Sequence, residues 1–167
     1  MTAAIKTVDP AQNEFLASLE AKSRQPSAFY RAMAHRPEVL KNFVPLYAAI
    51  VGPGTVERRL KELIYLTCAY ANECAFCTAA HVASGRKAGI SEEEMRALQT
   101  EQDHEFSEPE RAVIAYTREL TRDAAAEGSR AALFEHFNDE QVVEITLVAA
   151  MANFTNRFNN GLGIMPE

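Results

Sequence analysis

The chain has 167 residues, of which 47% are hydrophobic and 24% charged, a balance that can bury a sizeable core and excludes a disordered chain. Its 23 acidic residues against 17 basic ones give a net charge of −6 without any Lys/Arg cluster, which argues against nucleic acid or anionic lipid as a partner. No apolar run approaches the roughly 20 residues that span a bilayer, and the first six residues lack the apolar core of a secretory signal, so a cytoplasmic protein is expected.

In chain order the pattern is helical throughout. Asp9 before Pro10 is a helix-start signal, followed by an apolar stripe of Phe15, Leu16 and Leu19 that ends before Pro26. A short segment over residues 27–35 carries Phe29, Tyr30 and Met33 at helical spacing. Pro37 opens the next helix, with Val39, Leu40, Phe43, Leu46, Tyr47 and Ile50 expected inward, and Pro45 should kink it or end its first half. Gly52-Pro53-Gly54 breaks the chain. Thr55 is the expected cap of a helix apolar on most sides, from Leu60 to Tyr70, which makes it central and buried. Asn72 is read as the cap of the following helix, with Gly89 as its stop.

Ser91 with Glu94, and Ser107 with Glu110, are capping boxes that open two further helices, the polar stretch 100–106 forming a loop between them. Gly128 is the expected end of the second of these, and residues 130–137 fit a short helix. Asn138 then caps the last long helix, closed by Gly161, with Val142, Val143, Ile145, Leu147, Val148, Met151 and Phe154 expected to be buried. Alternating strand patterns are absent, so the fold class is all-α, one domain over residues 1–167 with a core motif at 55–90. Residues 62–72 and 144–153 also echo each other faintly, as a duplicated helix pair would, although apolar helical segments often look alike.

The chemistry is concentrated in residues 62–81. Three cysteines in a cytosolic chain do not form a secretory disulfide framework, and a Cys-x-x-Cys pair points to redox chemistry or metal binding. Cys74, Cys77 and His81 stand at i, i+3 and i+7, along one helical face, and Glu62 precedes Cys74 by twelve residues on the helix before. A helix start, the second thiol and His81 can each favour a thiolate, while Glu62 can orient or reprotonate His81. A thiolate oxidised by peroxide to a sulfenic acid is resolved by its neighbour as a disulfide. Spacing leaves open which thiol attacks: Cys74 is the one at the helix start, whereas Cys77 lies one turn from His81. The competing metal reading uses Cys74, Cys77 and His81 with Glu62 as fourth ligand, but no second strong ligand pair is present elsewhere. Haem attachment needs histidine where Thr78 stands, and a thioredoxin fold needs a strand that is not visible. Cys68 reads as a small buried hydrophobe, and His35, His104 and His136 as surface or capping residues. Asn153, Asn156 and Arg157 read as lining a pocket or pairing across subunits, with the interface favoured, and Phe154 and Phe158 as core or a subunit interface.

The stretch 62–81, continued through Gly89-Ile90-Ser91-Glu92-Glu93 and more weakly at 153–158, resembles the alkylhydroperoxidase D-like branch of the carboxymuconolactone decarboxylase superfamily. The resemblance implies a helical fold and a homo-oligomer, commonly a trimer or hexamer. It implies Cys77 as the peroxidatic cysteine, Cys74 as its resolving partner, and His81 with Glu62 as the proton relay. The implied activity is reduction of a hydroperoxide at the expense of an external thiol or dithiol, without bound cofactor or metal. The alternatives are a thiol-disulfide oxidoreductase or redox sensor with little peroxidase activity, and a Cys/His metal-binding protein. Phe76 departs from members that carry histidine before the second cysteine, and makes the pocket more apolar. The decarboxylase branch lacks the cysteine pair, so a lactone decarboxylase is not expected.

Overall fold

The computed structural model describes residues 4–23 and 27–166, which contain nine α-helices, two 3-10 turns and no strand. The expected stop at Pro26 lies outside the described residues. The helices are α1 (Glu14–Ser23), α2 (Ala28–Met33), α3 (Pro37–Val51), α4 (Arg58–Ala71), α5 (Ala75–Lys87), α6 (Glu92–Thr100), α7 (Glu108–Asp123), α8 (Arg130–His136) and α9 (Asp139–Leu162).

The centre is α4. It packs against α5, α7 and α9, with α6 at its outer side. Of the nine positions from Lys61 to Ala69 all but Glu62 are buried, as expected of a helix apolar on most sides. One core gathers Ile64, Tyr65, Ile145, Val148 and Leu133 with Phe29, Leu40 and Phe43. A second gathers Leu63 and Leu66 with Ile90, Met95, Leu98, Phe106 and Ile114. The two cores flank α4, so it cannot shift without unpacking both. The helices that carry the echoing segments, α4 and α9, pack against each other.

Local signals mostly fall where the chain chemistry puts them. Ser91 and Asn138 form capping boxes with Glu94 and Gln141, and the Glu110 carboxylate accepts from Ser107 N at 3.0 Å. Gly89 follows α5 with φ +84°, a turn conformation that a side chain resists.

Several ends differ. The Asp9-Pro10 signal caps only a 3-10 turn, because Asn13 Oδ1 accepts from Leu16 N at 3.0 Å and starts α1 afresh. Pro45 lies inside α3 without ending it. The last turn of α7 closes at Ala124, in the left-handed region at φ 57°, four residues before Gly128. Gly163, not Gly161, takes the left-handed position after α9. The stretch 100–106 is ordered around Asp103, whose carboxylate accepts from Arg118 at 2.6 Å.

Thr55 is not a helix cap. Glu57 takes that place, and Thr55 N and Oγ1 donate to Glu144 Oε2 at 2.8 and 2.6 Å. A buried lysine explains the change. Lys61 is 4% exposed, donates to Ile50 O and Gly52 O at 3.2 and 2.5 Å, and forms an ion pair with Glu144. Glu144 packs against Gly54 closely enough that a Cβ there would collide with its carboxylate. One cation and one carboxylate thus tie the end of α3, the 52–57 loop, α4 and α9 together.

Val39, Leu46, Val143, Leu147 and Phe154, expected to be buried, are instead exposed. The helical period runs on past the sector that α3 and α9 can bury against their neighbours. Two open apolar grooves of about 500 and 600 Å³ lie along this face, both bordered by Val39 and Phe154.

Candidate active site

The chain leaves α4 through Asn72 and turns at Glu73, which adopts φ 51°. That left-handed step delays the next helix by two residues beyond the position expected from Asn72. Cys74 is therefore the N-cap of α5, its Sγ accepting from Cys77 N at 3.3 Å. A sulfur so placed meets the positive end of the helix dipole, which favours its thiolate. Cys77 follows in the first turn, with the Cα atoms 5.3 Å apart and the sulfurs at disulfide distance. Both cysteines are buried, at 1% and 4% exposure.

His81 lies one turn beyond Cys77. Its Nδ1 meets Glu62 Oε2 at 2.8 Å across the α4–α5 packing, as the sequence allowed only through tertiary contact. The imidazole also stacks on Tyr65, with ring centroids 4.1 Å apart and an interplanar angle of 15°. Held at Nδ1 and on one ring face, it has Nε2 left for a reacting group. Arg58 stands 3.9 Å from the other oxygen of Glu62, on the solvent side.

Cys77 and His81 share the wall of a cavity of about 290 Å³, which Phe29, Tyr30, Tyr47 and Phe76 make largely apolar. Cys74 does not border it. A second cavity of about 550 Å³ is bordered by Glu62 and His81, with Arg58 and Tyr47 also in its lining. Burial pushes the Tyr47 phenol up to about 12, so it is a hydrogen-bond donor at neutral pH. Burial raises Tyr65 further.

Sequence reading missed the polar ladder on α9. Asn153, Asn156 and Asn159 are all buried, so they do not form the subunit interface expected of the first two. Asn72 Nδ2 donates to Asn153 Oδ1 and Asn156 Oδ1 at 2.9 and 3.1 Å, and Asn159 Nδ2 donates to Cys77 Sγ at 3.3 Å. Arg157 is exposed and donates through Nη2 to Thr121 O at 3.2 Å. The available signal was three asparagines spaced three apart, along one face of a helix, since unpaired amides are costly to bury. Cys68 is the buried small residue expected. It is fully enclosed, its Sγ 3.3 Å from Thr121 Oγ1, and burial pushes its thiol up to about 12. Of the histidines, His35 is exposed with Nε2 2.7 Å from Lys6 O, and His104 pairs with its neighbour Glu105. Among the described residues no three His, Cys, Asp or Glu side chains gather as a metal ion requires.

The sequence profile of the carboxymuconolactone decarboxylase family matches residues 37–119, from the start of α3 into α7, and so includes Glu62, Cys74, Cys77 and His81. The chain belongs to that family. Its Cys74–Cys77 pair on α5 and the Glu62 carboxylate on α4 thus lie within the segment that matches the carboxymuconolactone decarboxylase family. Among curated proteins the chain is 26% identical over 114 residues to the uncharacterised protein YdfG of Bacillus subtilis (strain 168), covering 66% of this chain and 78% of that one. Among solved structures, a peroxidase-related protein from Ralstonia eutropha JMP134 with an alkylhydroperoxidase AhpD core superposes with a TM-score of 0.86 at 20% identity, covering 100% and 93% of the two chains. A protein of unknown function from Agrobacterium tumefaciens gives 0.73 at 28% identity over 80% and 94%. The fold is therefore AhpD-like.

Proposed function

We propose that this carboxymuconolactone decarboxylase family member is a thiol-dependent hydroperoxide reductase that cycles through a Cys74–Cys77 disulfide. The observation that carries the reading is the shared cavity: Cys77 and His81 border it together, His81 is oriented by Glu62, and Cys74 waits behind Cys77 at disulfide reach. Only Cys77 meets the cavity, so it is the sulfur that meets the peroxide.

The Cys77 thiolate attacks the distal oxygen of ROOH. An S–O bond forms, the O–O bond breaks, and RO⁻ takes a proton from His81 to leave as ROH. The Cys74 thiolate, favoured by the start of α5, attacks the sulfenic sulfur and expels hydroxide, which is protonated to water. Two equivalents of an external thiol then reduce the disulfide and leave as their own disulfide. The apolar lining favours an alkyl substituent on the peroxide. No helix among the described residues is long and apolar enough to cross a membrane. The reaction needs only these side chains and a diffusible thiol.

The test is a free-thiol titration before and after one equivalent of an organic hydroperoxide, with mass spectrometric mapping. Loss of two thiols as a Cys74–Cys77 disulfide is the expected result. A dithiol oxidised quickly by a disulfide but slowly by peroxide supports the second reading, a thiol-disulfide oxidoreductase, which Phe76 in the cavity wall favours.

The exposed stripe of Leu46, Leu147 and Phe154 supports assembly of identical chains in the same proposal. Leu147→Glu is expected to shift the protein to monomer in sedimentation velocity. An unchanged sedimentation coefficient places any interface elsewhere.

A further inference from the structure

We infer that Asn159 is a further catalytic residue, donating to the Cys77 sulfur through Nδ2 and receiving the hydroperoxide O–H on Oδ1. The inference rests on the peroxidase reading and goes beyond its four residues. Asn159 is 2% exposed, its Nδ2 lies 3.3 Å from Cys77 Sγ, and it borders the same cavity. Its Oδ1 is buried without a hydrogen-bond partner among the described residues. An amide oxygen buried next to a cavity without a partner is costly unless something that enters the cavity donates to it.

The two ends of one amide fit the two partners of the first step. The N–H end stabilises a thiolate more than a thiol, because a donor to a charged acceptor makes the stronger bond. Oδ1 accepts a hydrogen bond from the O–H of the distal peroxide oxygen, the atom that Sγ attacks. That proton stays on this oxygen as the sulfenic O–H, while RO⁻ takes its proton from His81, so the balance of the step is unchanged. The other titratable groups around Cys77 are Tyr30 from α2, Tyr47 from α3, Glu62 and Tyr65 from α4, and Cys74 and His81 from α5. Burial raises the three phenols, so they remain neutral at neutral pH. Asn159 is the side-chain amide that donates to the Cys77 sulfur, and α9 holds it there by its neighbouring turns.

The test uses the full chain carrying Cys74→Ser, so that Cys77 is the reactive thiol while Cys68 stays enclosed. Iodoacetamide alkylation followed against pH gives the Cys77 thiolate pKa, and cumene hydroperoxide gives the sulfenic acid rate. Asn159→Leu is expected to raise that pKa by about one unit, slowing alkylation about tenfold at pH 7. At high pH alkylation recovers, while oxidation by the hydroperoxide stays slower than in the parent. Asn159→Asp keeps the shape and removes the donor, and is expected to raise the pKa at least as far; it decides the matter if the leucine variant does not fold. An unchanged alkylation profile in a folded variant overturns the donor role. Full recovery of the hydroperoxide rate at high pH overturns the acceptor role. Because alkylation does not involve peroxide, failure of the peroxidase reading shows separately, as a parent thiol that hydroperoxide leaves unoxidised.

Discussion

Cys77→Ser is expected to abolish hydroperoxide turnover, leaving no rate above the uncatalysed reaction, because serine offers no sulfur to accept the peroxide oxygen. Cys74→Ser is expected to behave differently. Its Cys77 still meets the cavity, so one equivalent of peroxide is consumed and a sulfenic acid accumulates without closing to the internal disulfide. Single-turnover peroxide consumption with dimedone trapping separates the two. The assignment of roles follows from access: Cys77 borders the cavity beside His81, while Cys74 is the N-cap behind it. If the Cys77→Ser protein traps dimedone at Cys74 and the Cys74→Ser protein does not, the roles are reversed. Full turnover in Cys77→Ser removes the redox assignment altogether.

Glu144→Ala is expected to be the most destabilising single change outside the apolar core. It leaves Lys61 buried with only the Ile50 and Gly52 carbonyls as partners, and it frees the Thr55 loop. Removing one member of a buried pair costs about 3–5 kcal/mol, and the two carbonyls that remain on Lys61 place the loss near the lower end. For a chain of this size about 3 kcal/mol lowers Tm by roughly 6–12 °C. Glu144→Gln, which keeps an acceptor for Thr55, should fall between. A loss below about 1 kcal/mol in thermal or urea unfolding would mean that solvent screens the pair.

The pH dependence follows from the same carboxylate. Burial alone would raise the Glu144 pKa, but the hydrogen bonds from Lys61 and Thr55 outweigh it and hold the carboxyl below its ordinary 4.5. A depressed folded pKa means that the stabilisation is present above 4.5 and is lost as pH falls through the lower folded value. Glu94 and Glu110 behave likewise: burial raises them, and hydrogen bonds from Arg59 lower them further. Acid unfolding is thus expected to begin below pH 4.5, with a smaller acid-sensitive loss in Glu144→Gln than in the parent.

How far the sequence reached is clearest at three places. Helical class, the two serine capping boxes and the central position of α4 were legible because each depends on residues within a turn or two of one another. The Cys74/Cys77/His81 spacing was legible for the same reason. Helix starts and stops slipped where a long-range partner outbid the local cap: Thr55 went to Glu144, 89 residues away, and Asn72 went to α9. The faces of α3 and α9 were misread at Val39, Leu46, Leu147 and Phe154, because periodicity reports that a side chain is apolar and not what will cover it.

The sequence by itself determined an all-helical chain with a dithiol at a helix start and a histidine one turn on, since short-range spacing dictates each of these. Only the tertiary structure decided that Glu62 holds that histidine, that Tyr65 stacks on it, that Cys77 rather than Cys74 meets the cavity, and that Asn159 reaches its sulfur from 82 residues away. Those contacts depend on how α4, α5 and α9 pack, and packing is set by the whole apolar surface at once rather than by any one stretch of chain.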